Sequence, residues 1–194
     1  MRVRTCGDTA ILLDCDNLDE AQRWYAALED SSDAVLGAQT VLLRGVPERL
    51  RALVARITPA DKAVGEDQPI LDIPTRYDGK DLAEVARLTG LSTTEVVAAH
   101  TGTVWTVAFG GFAPGFAYLA GGDPRLTVPR RDSPRKAVPA GAVGLAGAFS
   151  GVYPRESPGG WRLIGHTALA MWDLDRDPPA LLHAGHRVRF VEVS

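Results

Sequence analysis

Between Phe109 and His166 the chain holds 12 of its 20 glycines and 7 of its 13 prolines. Proline removes an amide donor and glycine raises the entropic cost of ordering, so no long helix forms here. The stretch is not a flexible linker either. Phe109, Phe112, Phe116, Tyr118, Phe149, Tyr153 and Trp161 are spread through it, and aromatic rings on that scale need burial or a partner. The pattern predicts short strands joined by tight turns, with a floor of backbone and aromatic rings.

Charge separates this stretch from the rest. Arg125, Arg130, Arg131, Arg135, Lys136, Arg155 and Arg162 stand against Asp123, Asp132 and Glu156, seven cations to three anions and a local +4 in a chain of net charge −3. Arg130 and Arg135 each follow a proline, which limits where the guanidinium can go. Such arginines are either solvated loop residues or a site for a carboxylate or phosphate, which arginine grips with two donors.

With 194 residues, 45% of them hydrophobic and 23% charged, the chain is an ordinary globular one with room for one domain or two small ones. Its mild negative charge gives no reason to expect a nucleic-acid partner. Before Asp14 there is only a four-residue apolar run, too short for a signal peptide, and no run reaches membrane-spanning length. A cytoplasmic location without a membrane partner is the expectation. Cys6 and Cys15 fit neither a zinc nor a redox spacing and are expected as reduced, partly buried strand residues.

Local signals place the elements. Gly7-Asp8 between Val3 to Thr5 and Ala10 to Leu13 predicts a hairpin. Leu18, Ala21, Trp24, Tyr25 and Leu28 fall on one helical face, Val35 to Leu43 is β-rich, and Pro47 opens a second helix. Strand, helix, strand, helix suggests a small α+β sandwich. Residues 58–69 are polar and bounded by prolines, a boundary signal. Beyond it, Ile70 to Pro74 predicts a strand, Asp78-Gly79 a turn, and Asp81 a cap for a helix ending at Gly90. Ser92 and Glu95 have the spacing of a capping box. The helix they start ends at His100, where the helix dipole favours the protonated imidazole. His183 and His186 are expected in a loop, not on a metal.

Phosphate-loop, dinucleotide, nucleophile-elbow and zinc-helix motifs do not occur, and Lys136 lacks the flanking methionines of a biotin carrier.

The motifs themselves resemble one family. Gly111-Phe112-Ala113-Pro114-Gly115-Phe116-Ala117-Tyr118-Leu119, Pro129-Arg130, Ser133-Pro134-Arg135, residues 138–147, Gly151-Val152-Tyr153-Pro154 and residues 157–165 closely resemble the family of 5-oxoprolinase B subunits. That family is also labelled allophanate hydrolase subunit 1, carboxyltransferase subdomain or kinase A inhibitor. Gly7-Asp8, Ile73-Pro74, Tyr77-Asp78-Gly79 and Glu95 to His100 extend the match; residues 148–150 depart from the family's more polar segment.

The resemblance implies an α+β protein, with a small N-terminal α/β sandwich over residues 1–68 and a cyclophilin-like β-barrel over 69–194. It implies the B component of a hetero-oligomeric enzyme that, with subunits A and C, opens 5-oxoproline to glutamate using ATP as co-substrate. Arg130 and Arg135 would then neutralise negative charge and His100 move a proton. Phe112, Pro114, Phe116, Tyr153, Gly159, Gly160 and Trp161 would shape the substrate pocket. No metal or biotin is implied. The rivals are a module that docks on a sensor histidine kinase, a component of a related allophanate or urea-amide hydrolase, and, by fold analogy alone, a prolyl isomerase.

Because each side of the polar stretch has its own apolar periodicity, a cut between Ala60 and Gln68 should leave a 69–194 fragment that unfolds cooperatively in urea. Loss of that cooperativity would mean a shared core.

Overall fold

The computed structural model describes residues 1–61 and 69–194, and the chain divides into two compact units, Met1–Asp67 and Gln68–Ser194. Most of the polar boundary stretch, residues 62–68, lies outside the described residues. Among the described residues no helix is long and apolar enough to cross a membrane.

In the first unit β1 (Arg2–Thr5) and β2 (Ala10–Asp14) form the expected antiparallel hairpin. Helix α1 (Leu18–Leu28) starts where the Asn17 side chain accepts the Glu20 amide. The β-rich run expected as one strand is two, β3 (Asp33–Leu36) and β4 (Thr40–Arg44), because the Gly37 amide donates to the Thr40 carbonyl and closes a turn. Helix α2 (Pro47–Val54) has proline in its first turn, where no amide is missed. The sheet runs β1-β2-β4-β3, all antiparallel. Ile11, Leu13, Leu28, Val41 and Leu43 are buried in this unit. Neither cysteine lies within a strand: Cys6 is exposed between β1 and β2, and Cys15 is buried just past β2.

The second unit begins with β5 (Ile70–Thr75), then α3 (Leu82–Thr89), which ends on a left-handed Gly90, and α4 (Thr93–Thr101), which starts from the Ser92–Glu95 capping box. Short strands follow: β6 (Trp105–Gly110), β7 (Ala117–Ala120), β8 (Arg135–Val138), β9 (Ala142–Ala146), β10 (Phe149–Val152), β11 (Ser157–Gly159), β12 (Arg162–His166) and β13 (Arg187–Glu192). Seven strands of this unit form one sheet in the order β12-β9-β10-β7-β6-β13-β5, parallel only between β13 and β5. Its two ends meet, since Arg76 and His166 exchange backbone hydrogen bonds of 2.9 and 2.8 Å. The sheet is thereby a nearly closed barrel, and β8 pairs with β11 as a separate ribbon.

Two glycines permit that closure. A Cβ on Gly165 would lie 2.4 Å from the Arg76 carbonyl oxygen, and one on Gly79 would lie 2.3 Å from the Ile164 carbonyl carbon. Backbones approach so closely only where side chains are absent.

Strand alternation gives the part of the wall formed by β9, β10 and β12 two buried faces. Leu119, Val143 and Leu145 join the core with Trp105, Ile164 and Phe190, while Phe116, Ala142, Ala146 and Trp161 belong to a second apolar cluster. His100 is fully buried, its ring 4.1 Å from that of Phe190. Its Nδ1 lies 2.7 Å from the Tyr77 hydroxyl and its Nε2 2.8 Å from the Ser150 hydroxyl, which is 3.4 Å from the Gly144 carbonyl. One consistent assignment of protons has Tyr77 donating to Nδ1, Nε2–H donating to Ser150, and Ser150 donating to the carbonyl. The protonated state expected from the helix dipole is overruled, because burial pushes the imidazole down to about 3.

This packing makes two outcomes measurable. Gly165→Ala should cost about 1–3 kcal/mol of unfolding free energy, as overpacking does, measured by urea titration; an unchanged midpoint would mean the seam is soft. His100 takes up a proton on unfolding below about pH 6.5 but resists it when folded. Its contribution to stability is therefore complete above that pH and falls as the pH drops toward 4, by up to about 1.4 kcal/mol per unit. Comparing His100→Gln with the parent chain over pH 7 to 4 should show a shallower slope in the variant.

Candidate functional site

The site is organised by Asp81. It stands at the N-cap position of α3, but its side chain makes no capping bond, so the expected cap is corrected. The carboxylate, 4% exposed, instead accepts the Leu163 amide on Oδ2 at 2.7 Å, and on Oδ1 accepts Arg135 Nη2 at 2.7 Å and Arg131 Nη1 at 3.2 Å. Burial alone would raise its pKa. Hydrogen bonds from Arg135 and Leu163, with the two guanidinium charges, outweigh that and hold it below the usual carboxylate range. Next to it, Arg162 Nη1 pairs with Glu84 at 2.5 Å, while its Nε donates to the Pro129 carbonyl at 3.1 Å. The Arg131 amide donates to the Gly160 carbonyl at 2.8 Å.

Arg131, Arg135 and Arg162 are thus all engaged. Arg130 lies between the anchored Pro129 and Arg131 and makes no ion pair among the described residues. It lines a cavity of about 100 Å³ with Phe112, Phe116, Tyr118, Tyr153, Gly159, Gly160 and Trp161. The walls are edge-to-face aromatic pairs: Phe116 to Trp161 at 5.3 Å, Phe116 to Tyr153 at 5.4 Å and Tyr118 to Trp161 at 5.5 Å between ring centroids. Burial raises the Tyr153 hydroxyl above its ordinary pKa, so it stays neutral at pH 7. Gly159 is required there, since a Cβ would lie 2.2 Å from that hydroxyl oxygen.

Phe112 stands at the pocket, 56% exposed, with a φ of 66°. A bulky residue rarely takes this left-handed conformation, and such strain clusters where ligands are gripped. The turn that holds it is closed by Ala113 N–H to Gly111 O at 2.7 Å and Phe116 N–H to Ala113 O at 2.9 Å. The cavity can hold a small flat molecule between rings and meet one negative group with Arg130.

Of the residues expected to act together, the structure gathers Phe112, Phe116, Tyr153, Gly159, Gly160, Trp161 and Arg130. Pro114 is exposed in the Phe112 turn and does not line the cavity. Arg135 is spent on Asp81 and borders a different cavity. His100 is on the other side of the sheet: its partner Ser150 points inward from β10, whereas the neighbouring Phe149 packs with the outer aromatic cluster. Fully buried and bonded to Tyr77 and Ser150, His100 does not border this cavity, so the structure does not bring it together with Arg130 and the aromatic rings. Tyr118 was missed as a wall residue, although it lies in β7 two residues beyond Phe116, a spacing that returns a side chain to the same side of an extended chain. Asp81 was missed as the anchor because its partners lie far away in sequence.

Comparison with known proteins agrees with this architecture. Residues 1–182 match the family model described as carboxyltransferase domain, subdomain C and D. A protein of Escherichia coli O157:H7, named as the B subunit of 5-oxoprolinase, is 41% identical over 204 residues, covering 95% of this chain and 93% of the relative. One of the same name from Bacillus subtilis is 48% identical over 128 residues, covering 64% of this chain but only 53% of that protein. The crystal structure of TTHA0988 superposes with a TM-score of 0.82 at 36% identity, over 100% of this chain and 40% of that one. Kluyveromyces lactis urea carboxylase, with a TM-score of 0.73 at 20% identity over 99% of this chain and 22% of that one, shares the fold. The chain therefore belongs to the carboxyltransferase subdomain C and D family, among the proteins named as B subunits of 5-oxoprolinase.

Proposed function

We propose that this chain is the B component of an ATP-dependent 5-oxoprolinase and that its aromatic cavity receives 5-oxo-L-proline. The observation that carries the proposal is the pairing of a small aromatic box with one guanidinium that makes no ion pair among the described residues. The substrate is a flat five-membered lactam with a single carboxylate. Its ring fits between the edges and faces of Phe112, Phe116, Tyr118, Tyr153 and Trp161, and its carboxylate meets Arg130.

A lactam resists water, and coupling to ATP solves that problem. Transfer of the terminal phosphoryl group of ATP to the lactam oxygen releases ADP and activates the ring carbon; one water adds there and the C–N bond breaks to leave γ-glutamyl phosphate, and a second water hydrolyses that acyl phosphate to glutamate and phosphate. This chain contributes binding and orientation. The Tyr153 hydroxyl, kept neutral by burial, is a fixed dipole in the wall and not a base. Subunits A and C complete the composite site.

Reconstitution with subunits A and C should give 5-oxoproline-dependent ATP hydrolysis, and this chain alone should give none. In the complex, Arg130→Ala should weaken apparent substrate affinity roughly tenfold to a hundredfold, the loss of one charge-assisted contact. Arg130→Lys should recover little, because an ammonium lacks the planar fork. Thermal stability should be unchanged in both. Blocked autophosphorylation of a sensor histidine kinase, without 5-oxoproline turnover in any reconstitution, would replace this proposal with the docking-module one.

A further inference from the structure

Arg135 opens onto a second cavity of about 300 Å³, separate from the aromatic box, and with it lie Lys80 and His166. The volume is in the range of small-molecule sites. Ala137, Pro139, Ala142 and Leu163 make its apolar wall, and Gly79 and Gly165 place it on the seam where the barrel closes.

Charge is unbalanced beside it. Arg131, Arg135 and Arg162 face only two carboxylates, Asp81 and Glu84, so the ion-paired cluster keeps one positive charge. Lys80 adds a second positive charge, and Asp78, 2.8 Å from His166 Nδ1, subtracts one. Arg135 donates from Nη2 to Asp81, yet its Nη1 is buried with no hydrogen-bond partner. That nitrogen is closed off from the cavity, so what Arg135 brings to it is the positive field of a guanidinium held in place by a buried carboxylate.

We propose that this cavity is a second binding site, for a small molecule that carries a phosphate or carboxylate on an apolar body. The oxyanion lies at Lys80, in the field of Arg135, and the body rests on Ala137, Pro139, Ala142 and Leu163. Because the ligand spans the turn after β5, the ribbon strand β8 and strand β12, its binding holds the barrel seam shut. This site does not depend on what occupies the aromatic box.

The test is amide NMR of the full chain, titrated separately with phenyl phosphate, benzoate, inorganic phosphate and acetate. Saturable shifts at Gly79, Lys80, Ala140 and Gly165 are expected with phenyl phosphate or benzoate, and the stronger of the two identifies the headgroup. The matching inorganic phosphate or acetate should bind more weakly for want of the apolar body, and the bound probe should raise the melting temperature. Lys80→Ala removes an exposed side chain and should leave the fold intact while weakening binding roughly tenfold. Arg135→Ala is the less clean variant because it also uncovers Asp81. Absence of saturable shifts around the seam with all four probes overturns the proposal, as does equal affinity in Lys80→Ala. Shifts confined to Tyr153 and Trp161 would assign the anion to the aromatic box and also overturn it.

Discussion

The carboxylate of Asp81 is the charge on which the second unit depends. An isolated buried carboxylate would be costly, and replacing its hydration takes several well-placed donors. Asp81 finds them on three separate elements: the amide of Leu163 in the barrel wall, Arg135 at the start of the ribbon, and Arg131 in the loop before it. One side chain thereby ties the start of α3 to β12 and to the arginine-rich loop. The loss of any one partner leaves charge in a place where water cannot repair it. The same arrangement selects Arg130 by default, since its neighbours are spent on Asp81 and Glu84 while it faces the aromatic box.

The barrel wall is the second organising constraint. Strands β9, β10 and β12 are buried on both faces, so alternate residues there go to different environments. The inner side carries a closed polar line, Tyr77 to His100 to Ser150 to the Gly144 carbonyl, in which every strong hydrogen-bonding group has a partner. This line gives the core a unique arrangement and holds a histidine neutral far below its ordinary pKa. The outer side carries the rings of the candidate site. Chemistry and core are separated by the thickness of one sheet.

On that outer side, strain and rigidity occur together. Phe112 is held in a left-handed conformation by a turn of short backbone bonds, and Gly159 is pressed against Tyr153 so closely that no other residue fits. A pocket formed this way is preorganised, and little conformational entropy is left to lose when a flat ligand enters. The lactam proposed as substrate is a small ring with one carboxylate, the kind of ligand for which aromatic walls and one guanidinium outside the ion pairs are suited.

Much of this was legible in the residues alone. Glycine and proline density announced short strands, the Ser92–Glu95 pair announced α4, and the family resemblance named Phe112, Pro114, Phe116, Tyr153, Gly159, Gly160 and Trp161 as pocket residues beside Arg130, Arg135 and His100, of which all but Pro114, Arg135 and His100 line one cavity. These are signals carried by local backbone preference or by motifs in a fixed order. The split of the Val35 to Leu43 run into a hairpin was missed because β propensity does not mark where a chain turns back. What the tertiary structure alone decided is which arginine remains outside the ion pairs, on which side of the wall His100 lies, and what Asp81 does. Asp81 meets Arg131, Arg135 and Leu163 across separations of 50, 54 and 82 residues. Propensity and periodicity act over a few residues, and a buried charge is matched only when closure of the barrel brings its partners to it.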